Sequence, residues 1–206
     1  VEDDTREQPT LEAATEWTGG ISWIADPDEQ AQRASHALQT EAGVWIVDPV
    51  DADGLDEQLA ELGAVAGVVV LQDRHTRDAP PVARRHDVAV HVPEWMNLAR
   101  EKLETEAESV KGQLPGTTYA VSQLRNTDEW EEAVLVGETT NTMVVPEALG
   151  TLPSFCADDN ALGVHPGLDD PPRGLTNWSP ERILVGHGES VHSEATAKLE
   201  RAINAE

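Results

Sequence analysis

The feature that most constrains the fold is an apolar run that changes abruptly into a charged loop. The run, Val68–Leu71, has four consecutive apolar residues, three of them β-branched. Such a run is typical of a strand buried on both faces. The six residues from Asp73 to Asp78 then include five ionisable side chains, which a packed core does not accept. Because open α/β sheets place their sites at the carboxyl ends of strands, we predict a functional loop here.

Strand and helix patterns alternate around this run. Val44–Val47 and Val88–Val92 have the composition of strands, whereas Leu55–Leu62 has leucines at helical spacing. Pro80–Arg85 is predicted to be a helix, because proline is favoured in the first helical turn. The order strand, helix, strand, charged loop, helix and strand is a βαβαβ pattern, which predicts mostly parallel strands.

The rest of the chain completes an α/β pattern. Helices are predicted to start at Pro27, to cover Leu98–Val110, and to cover Ser193–Ile203 with Ser193 as a cap. The further predicted strands are Ile21–Ile24, Ser35–Gln39, Thr118–Leu124, Ala133–Val136, Thr142–Val145 and Arg182–Val185. The length of 206 residues suits a single domain over 1–206, with residues 1–10 expected to be frayed.

The charge balance restricts the environment and the partners. Thirty-nine acidic residues face 14 basic ones, only three of them lysine, and the formal net charge is −25. The apolar strand patterns argue against disorder, which such acidity otherwise favours. The composition is typical of a folded protein from a salt-loving organism, where salt screens self-repulsion. The alternative is an acidic protein kept apart from nucleic acid, since its surface should repel DNA and RNA.

Further features concern the location of the protein. No segment reaches the roughly 18 apolar residues of a membrane span, and Val1–Gln8 is too polar for a signal peptide. A single cysteine, Cys156, excludes an intrachain disulfide. We therefore expect a soluble, cytoplasmic protein without a membrane or nucleic-acid partner. A small-molecule ligand stays open, and the sequence does not specify an oligomeric state.

The strand and charged loop resemble the metallo-β-lactamase superfamily, with similarity over about residues 35–190. The signature of that superfamily is a strand ending in His-x-His-x-Asp-His. This chain has Asp73, His75, Arg77 and Asp78 at those four positions. The resemblance implies a four-layer αββα sandwich and a metal-dependent site that hydrolyses thioesters, lactams or phosphodiesters.

Later segments carry the same resemblance in the same order. Glu147 falls near the acidic residue that bridges two metals in the family, and Gly186–Gly188 resembles its closing histidine turn around His187. Asp48 stands where the family has Asp-x-Gly, although the glycine is absent here. The histidine that the family has between two strands corresponds to Arg125–Thr127, which contains none.

The resemblance implies five candidate metal ligands. They are Asp73, His75, Asp78, Glu147 and His187. Arg77 occupies a ligand position, but a guanidinium is permanently cationic and has no lone pair to offer. In one interpretation the five residues hold one divalent ion, Zn, Fe or Mn. In the other, Arg77 and Arg74 replace the metal charge by pairing with the carboxylates, and no metal binds.

Three function hypotheses follow, and the sequence leaves open whether the protein is an enzyme. The first is a one-metal hydrolase of an ester-like bond, with Asp78 as a catalytic residue and His165, in a Pro/Gly loop, as a proton shuttle. The second is a non-catalytic scaffold. The third is anion binding by Arg74, Arg77 and Arg173 in a cleft.

Overall fold

The computed structural model describes residues 9–11, 14–156 and 161–205. The expected fraying of residues 1–10 concerns a segment of which 1–8 lie outside the described residues. None of the helices in the described part of the chain is long and apolar enough to span a membrane. The expectation of a single domain over 1–206 stays a prediction.

The described residues form thirteen strands and four α-helices. The strands are β1 (Ala14–Trp17), β2 (Gly20–Ile24), β3 (Ala34–Thr40), β4 (Gly43–Val47), β5 (Val65–Val69), β6 (Val90–Pro93), β7 (Ala107–Val110), β8 (Tyr119–Asn126), β9 (Glu131–Gly137), β10 (Thr142–Val145), β11 (Leu149–Gly150), β12 (Gly163–Val164) and β13 (Arg182–Val185). The helices are α1 (Leu55–Leu62), α2 (Ala79–Arg85), α3 (Asn97–Lys102) and α4 (Ala195–Asn204), and a short 3₁₀ helix covers Arg173–Asn177.

Strands β1 to β7 form one sheet in chain order, and β13, β10, β9 and β8 form a second sheet in that order. The alternation of side chains along β9 shows how the layers pack. Ala133 and Leu135 belong to a core shared with the larger sheet, α1 and α2, whereas Val134 and Val136 pack in a second core with α4. The resulting order of helices, sheet, sheet and helix is the αββα sandwich that the resemblance implied.

The central run behaves as predicted. Val68, Val69, Val70 and Leu71 are all fully buried. Strand β5 lies between β4 and β6 and is parallel to both. The βαβαβ prediction is therefore confirmed, and the charged loop that follows lies at the carboxyl edge of this parallel segment.

Three helix predictions differ from the structure. Pro27–Ala31 forms turns instead of a helix, and the Asp26 carboxylate accepts the backbone N–H of Asp28 within them. The predicted helix over Leu98–Val110 ends at Lys102, and Ala107–Val110 instead extends the sheet as β7. Ser193 is not the cap of α4, which begins after Glu194 in a left-handed conformation without a side-chain cap.

His36 links the two sheets through a buried imidazole. Its Nδ1 lies 2.8 Å from Ser22 Oγ, and its Nε2 lies 3.1 Å from the carbonyl oxygen of Val185 in the second sheet. Because a carbonyl can only accept, Nε2 donates and Nδ1 accepts the serine hydroxyl, so the ring is neutral. Burial lowers the pKa of His36 from 6.5 to about 3.

This depressed pKa predicts acid sensitivity. Above about pH 6.5 the imidazole is neutral in both the folded and unfolded states, whereas below it only the unfolded state takes up the proton. Relative to a His36→Gln variant, the wild-type free energy of unfolding should fall by up to about 1.4 kcal/mol per pH unit between pH 6 and pH 4. Denaturant titrations at several pH values measure this difference, and parallel curves for the two proteins would contradict it.

Candidate metal centre

The candidate centre forms where strands of both sheets end. Strands β10 and β13 are parallel neighbours, with Val145 paired to Val185. Glu147 and His187 each lie two residues beyond these ends, so the register places them side by side. His75 comes from the charged loop after β5 in the other sheet. The two sheets therefore each contribute to one cluster at their facing ends.

A glycine permits the close approach of the two strand ends. A Cβ atom on Gly186 would lie 1.9 Å from the carbonyl oxygen of Pro146, closer than real atoms approach. Any side chain at this position would push the two turns apart, together with the Glu147 and His187 side chains that follow them. The Gly186–Gly188 turn of the sequence analysis is thus a packing requirement of the centre.

Three donor side chains converge within the described residues: His75, Glu147 and His187, whose ligand atoms all lie within 4.8 Å of one another. Nε2 of His187 lies 2.9 Å from Oε2 of Glu147, and Nε2 of His75 lies 3.5 Å from the same oxygen. The centroids of the two imidazole rings are 6.1 Å apart. All three residues are largely withdrawn from solvent, with side chains 9–13% exposed.

The other ring nitrogen of each histidine faces an acceptor. Nδ1 of His187 donates to the carbonyl oxygen of Ala31 at 2.8 Å. Nδ1 of His75 faces Oδ2 of Asp48 at 3.3 Å, and both atoms are buried with no closer partner in the described part of the chain. Each Nε2 lone pair of a neutral ring therefore points at a carboxylate oxygen. Such acceptor pairs repel unless a proton or a cation lies between them.

Asp48 is itself fixed in a strained backbone conformation. Its φ of +45° lies in the left-handed region, which residues other than glycine rarely adopt. Its Oδ1 accepts the backbone N–H of Leu71 at 2.8 Å, which leaves Oδ2 for His75. Local strain of this kind tends to occur at functional sites, where the surrounding structure holds it in place.

The electrostatics of the cluster favour ionised groups. Burial alone would raise the pKa of Glu147, but hydrogen bonds to His187 and His75 outweigh burial and hold the pKa well below its usual range. Burial likewise opposes the charge on His75, yet hydrogen bonds to Asp48 and Glu147 raise its pKa to about 10. Without a bound cation, His75 is therefore an imidazolium between two carboxylates at neutral pH.

The second oxygen of Glu147 faces a different set of groups. Oε1 lies 3.4 Å from a terminal guanidinium nitrogen of Arg74 and 3.5 Å from Nε2 of His165. Both residues also pack on Trp130, with the Arg74 guanidinium 4.8 Å and the His165 ring 4.9 Å from its ring centroid. Glu147 thus has an imidazole-rich side at Oε2 and a side with one arginine and one histidine at Oε1.

Glu147 is positioned by Glu132, a residue that the sequence did not single out. Glu132 is fully buried, and its Oε1 accepts the backbone N–H groups of Glu147 and Ala148, both at 2.8 Å. Its Oε2 accepts the indole N–H of Trp130 at 2.9 Å. Burial raises the pKa of Glu132 to about 7, against the opposing effect of these donors. The sequence feature that could have revealed this role is the pair Glu131-Glu132 directly before the apolar residues of β9. Acidic residues next to such a run are expected to face the protein interior.

Two predicted ligands lie elsewhere. Asp73 is fully buried, but its Oδ1 accepts the backbone N–H of Glu131 at 2.9 Å and its Oδ2 pairs with Lys102. Asp78 forms a two-pronged ion pair with Arg77 at 2.6 and 2.7 Å. These placements differ from the predicted ligand set because both carboxylates are engaged by nearer partners.

Two of the predicted arginines pair with predicted carboxylates. Arg74 is the cation beside Glu147, and Arg77 pairs with Asp78. Arg173 lies in the 3₁₀ helix and lines a cleft of about 690 Å³ together with His165 and Phe155. Phe155 stacks on the His187 ring, with the ring centroids 5.6 Å apart, so this cleft borders the centre.

Comparison with solved structures identifies the architecture. DIM-1 metallo-β-lactamase matches with a TM-score of 0.69 at 15% identity, covering 95% of this chain and 96% of that chain. FIM-1 from Pseudomonas aeruginosa in its mono-zinc form matches with a TM-score of 0.63 at 9% identity, covering 96% of both chains. The TTHA1623 protein in a di-iron-bound form matches with a TM-score of 0.60 at 14% identity, covering 85% of this chain and 96% of that chain.

The chain has the metallo-β-lactamase fold. No family model and no curated protein matches its sequence. At 9–15% identity the solved structures establish the fold and leave the chemistry to be argued from this chain's own residues. Within that fold, His75, Glu147 and His187 form a possible metal site.

The contacts of Asp73 predict that it stabilises the fold and does not bind a metal ion. Asp73→Asn removes the charge that pairs with Lys102, so we expect the free energy of unfolding to fall by about 1–3 kcal/mol. The amount of bound metal per chain should not change. Lys102→Met is the matched control, because it breaks the same pair without touching any candidate ligand. Denaturant titration and metal analysis measure the two effects. Loss of metal in Asp73→Asn alone, with Lys102→Met still loaded, would restore Asp73 to the ligand set.

Proposed function

We propose that this chain is a hydrolase of an ester-like bond that uses one divalent metal ion held by His75, Glu147 and His187. The observation that carries the proposal is the convergence of two Nε2 atoms on one ionised carboxylate oxygen, with both Nδ1 atoms held elsewhere. A divalent ion bound there would supply Lewis acidity and would lower the pKa of water for attack on the substrate.

The donor set fits such an ion. Two ligands that each lie about 2.1 Å from a tetrahedral ion are about 3.4 Å apart, and the separations of 2.9 and 3.5 Å from Oε2 of Glu147 are close to this value. Imidazole and carboxylate donors together suit Zn, Fe or Mn. Support from carboxylate or carbonyl acceptors at Nδ1, here Asp48 and Ala31, is the usual way in which metal-binding histidines are oriented.

One ion fits better than two. A second ion on the Oε1 side of Glu147 would meet the guanidinium of Arg74, which repels cations and offers no lone pair. His165 is the one neutral nitrogen donor described beside that oxygen. The sequence argument placed this obstacle at Arg77, and the geometry supports the same conclusion through Arg74.

His165 is the group best placed to transfer a proton. Its Nδ1 accepts the backbone N–H of Gly167 at 3.0 Å, so a neutral ring carries its proton on Nε2. That nitrogen lies near Glu147, and the ring lines the 690 Å³ cleft. We assign His165 to protonation of the leaving group. Asp78 has no role in this proposal, since Arg77 engages both of its oxygens.

A metal-free scaffold is the second candidate. The raised pKa of His75 favours it, because an imidazolium between Asp48 and Glu147 neutralises these carboxylates without a cation from solution. In that state Arg74 balances Oε1 of Glu147. The two candidates therefore differ in what lies between His75 and Glu147, a proton or a metal ion.

Metal analysis separates the two candidates. Protein purified without chelator should carry about one Zn, Fe or Mn ion per chain, and Glu147→Gln should carry almost none. Asp48→Asn should keep the site but bind the ion about 10–100-fold more weakly, since it removes only the support for His75. Glu138→Gln, an exposed glutamate in the turn between β9 and β10, is the matched control. A folded wild-type protein with far less than one ion per chain, even after metal is added, would favour the scaffold.

Activity provides an independent test. A thioester, a lactam and a phosphodiester should be offered to metal-loaded and chelator-treated protein, and we expect metal-dependent hydrolysis of at least one. For that substrate, His165→Gln should keep its metal and lose about 100-fold or more in kcat, because it removes the proton donor. Loaded protein that hydrolyses none of the three, or a His165→Gln variant with unchanged kcat, would contradict the respective part of the proposal.

A further inference from the structure

Three arginines line one small cavity beside His75. Arg33, Arg74 and Arg77, which we name the arginine cluster, share its wall with Asp48, Asp78 and His75. The cavity itself has a volume of about 20 Å³, enough for roughly one water molecule. A larger ligand would therefore lie across its mouth, in contact with the side chains at the rim.

The cluster stands out against the composition of the chain. With 39 acidic and 14 basic residues, the surface as a whole repels anions. Three of those 14 basic residues nevertheless border this one cavity, and they come from two separate segments, the turn before β3 and the loop after β5. A fourth, Arg125, packs against Trp130, the ring that Arg74 also covers. Basic residues are thus concentrated beside the centre, in a chain that has few of them.

The guanidinium groups are accessible and can take a further acceptor. The side chains of Arg33, Arg74 and Arg77 are 29%, 46% and 53% exposed. Each is paired with a carboxylate, on Glu29, Glu147 and Asp78 respectively. A guanidinium has five N–H donors. Each arginine can therefore keep its present partner while it binds a ligand oxygen.

We propose that the arginine cluster binds a phosphate group of the substrate, so that the centre acts on small phosphate-bearing esters. This inference rests on the proposed function and names its substrate class. Three guanidinium groups match an anion with at least three acceptor oxygens, which a phosphate offers and a carboxylate does not. Arg173, assigned to the anion site by the sequence, is replaced by Arg33, because Arg173 lines the separate cleft on the His165 side.

The test is calorimetric titration of the full chain with inorganic phosphate at fixed ionic strength. It is run on protein as purified and again after chelation, so that phosphate bound to a metal ion is recognised. We expect Arg33→Gln, Arg74→Gln and Arg77→Gln each to weaken binding about tenfold or more in both states, because each removes charged hydrogen bonds. Arg84→Gln and Arg201→Gln, exposed arginines on α2 and α4, are the matched controls and should bind as the wild type does.

Several outcomes would overturn the inference. Unchanged binding in all three cluster variants would do so, as would equal losses in the two control variants. Weaker binding in Arg173→Gln with the cluster variants unaffected would move the anion to the other cleft. Metal content measured on the same samples keeps this result apart from the proposed function. If the protein carries one ion per chain but phosphate binding does not depend on the arginine cluster, only this inference is contradicted. If phosphate binding depends on the cluster but no metal is bound, the proposed hydrolase function is contradicted and the protein is a phosphate-binding protein.

Discussion

The buried carboxylate of Glu132 is the constraint on which the centre depends. A carboxylate enclosed by protein is costly unless hydrogen bonds surround it, and this one is satisfied by two backbone N–H groups and one indole N–H. The two backbone donors belong to Glu147 and Ala148, so the interaction fixes the turn after β10. Because β10 and β13 run in parallel register, fixing that turn also fixes Glu147 relative to His187.

The two carboxylate oxygens of Glu147 face different sets of groups. One oxygen faces two imidazoles whose other nitrogens are held by Ala31 and Asp48. The other oxygen faces Arg74 and His165, both packed on Trp130. A cation would fit the first side and would be repelled on the second. Arg74, which would exclude a second ion in the proposed one-metal site, also belongs to the cluster proposed to bind the substrate anion.

Local patterns predicted the α/β class. A fully apolar run predicted the buried strand, and alternating strands and helices predicted the parallel segment. The αββα sandwich and five candidate ligands were implied by the resemblance, and three of those ligands, His75, Glu147 and His187, converge. The prediction of a helix over Leu98–Val110 was wrong for its second half, which pairs with β6 as a strand. The weak apolar periodicity of this segment does not indicate that a strand partner is present elsewhere in the chain.

The remaining differences between the predicted and the observed arrangement arise from contacts between distant segments. Nothing near Asp73 indicates that Lys102, at the end of α3, takes its carboxylate. Arg74 pairs with Glu147, whereas Arg77 pairs with Asp78. These pairings depend on the direction of each side chain in an irregular loop, which the spacing of the residues in the sequence does not specify. The role of Glu132 depends on a turn 15 residues later in the chain. Arg33 joins the cluster only through the packing of the turn before β3 against the centre.

The proposed centre holds one metal ion between His75, Glu147 and His187. This placement can be tested by anomalous diffraction from crystals of the metal-loaded protein, recorded on both sides of the absorption edge of the bound metal. We expect a single anomalous peak about 2.1 Å from Nε2 of His75, from Nε2 of His187 and from one carboxylate oxygen of Glu147. Loaded crystals with no peak there, or with a peak on Asp73 and Asp78 instead, would contradict it.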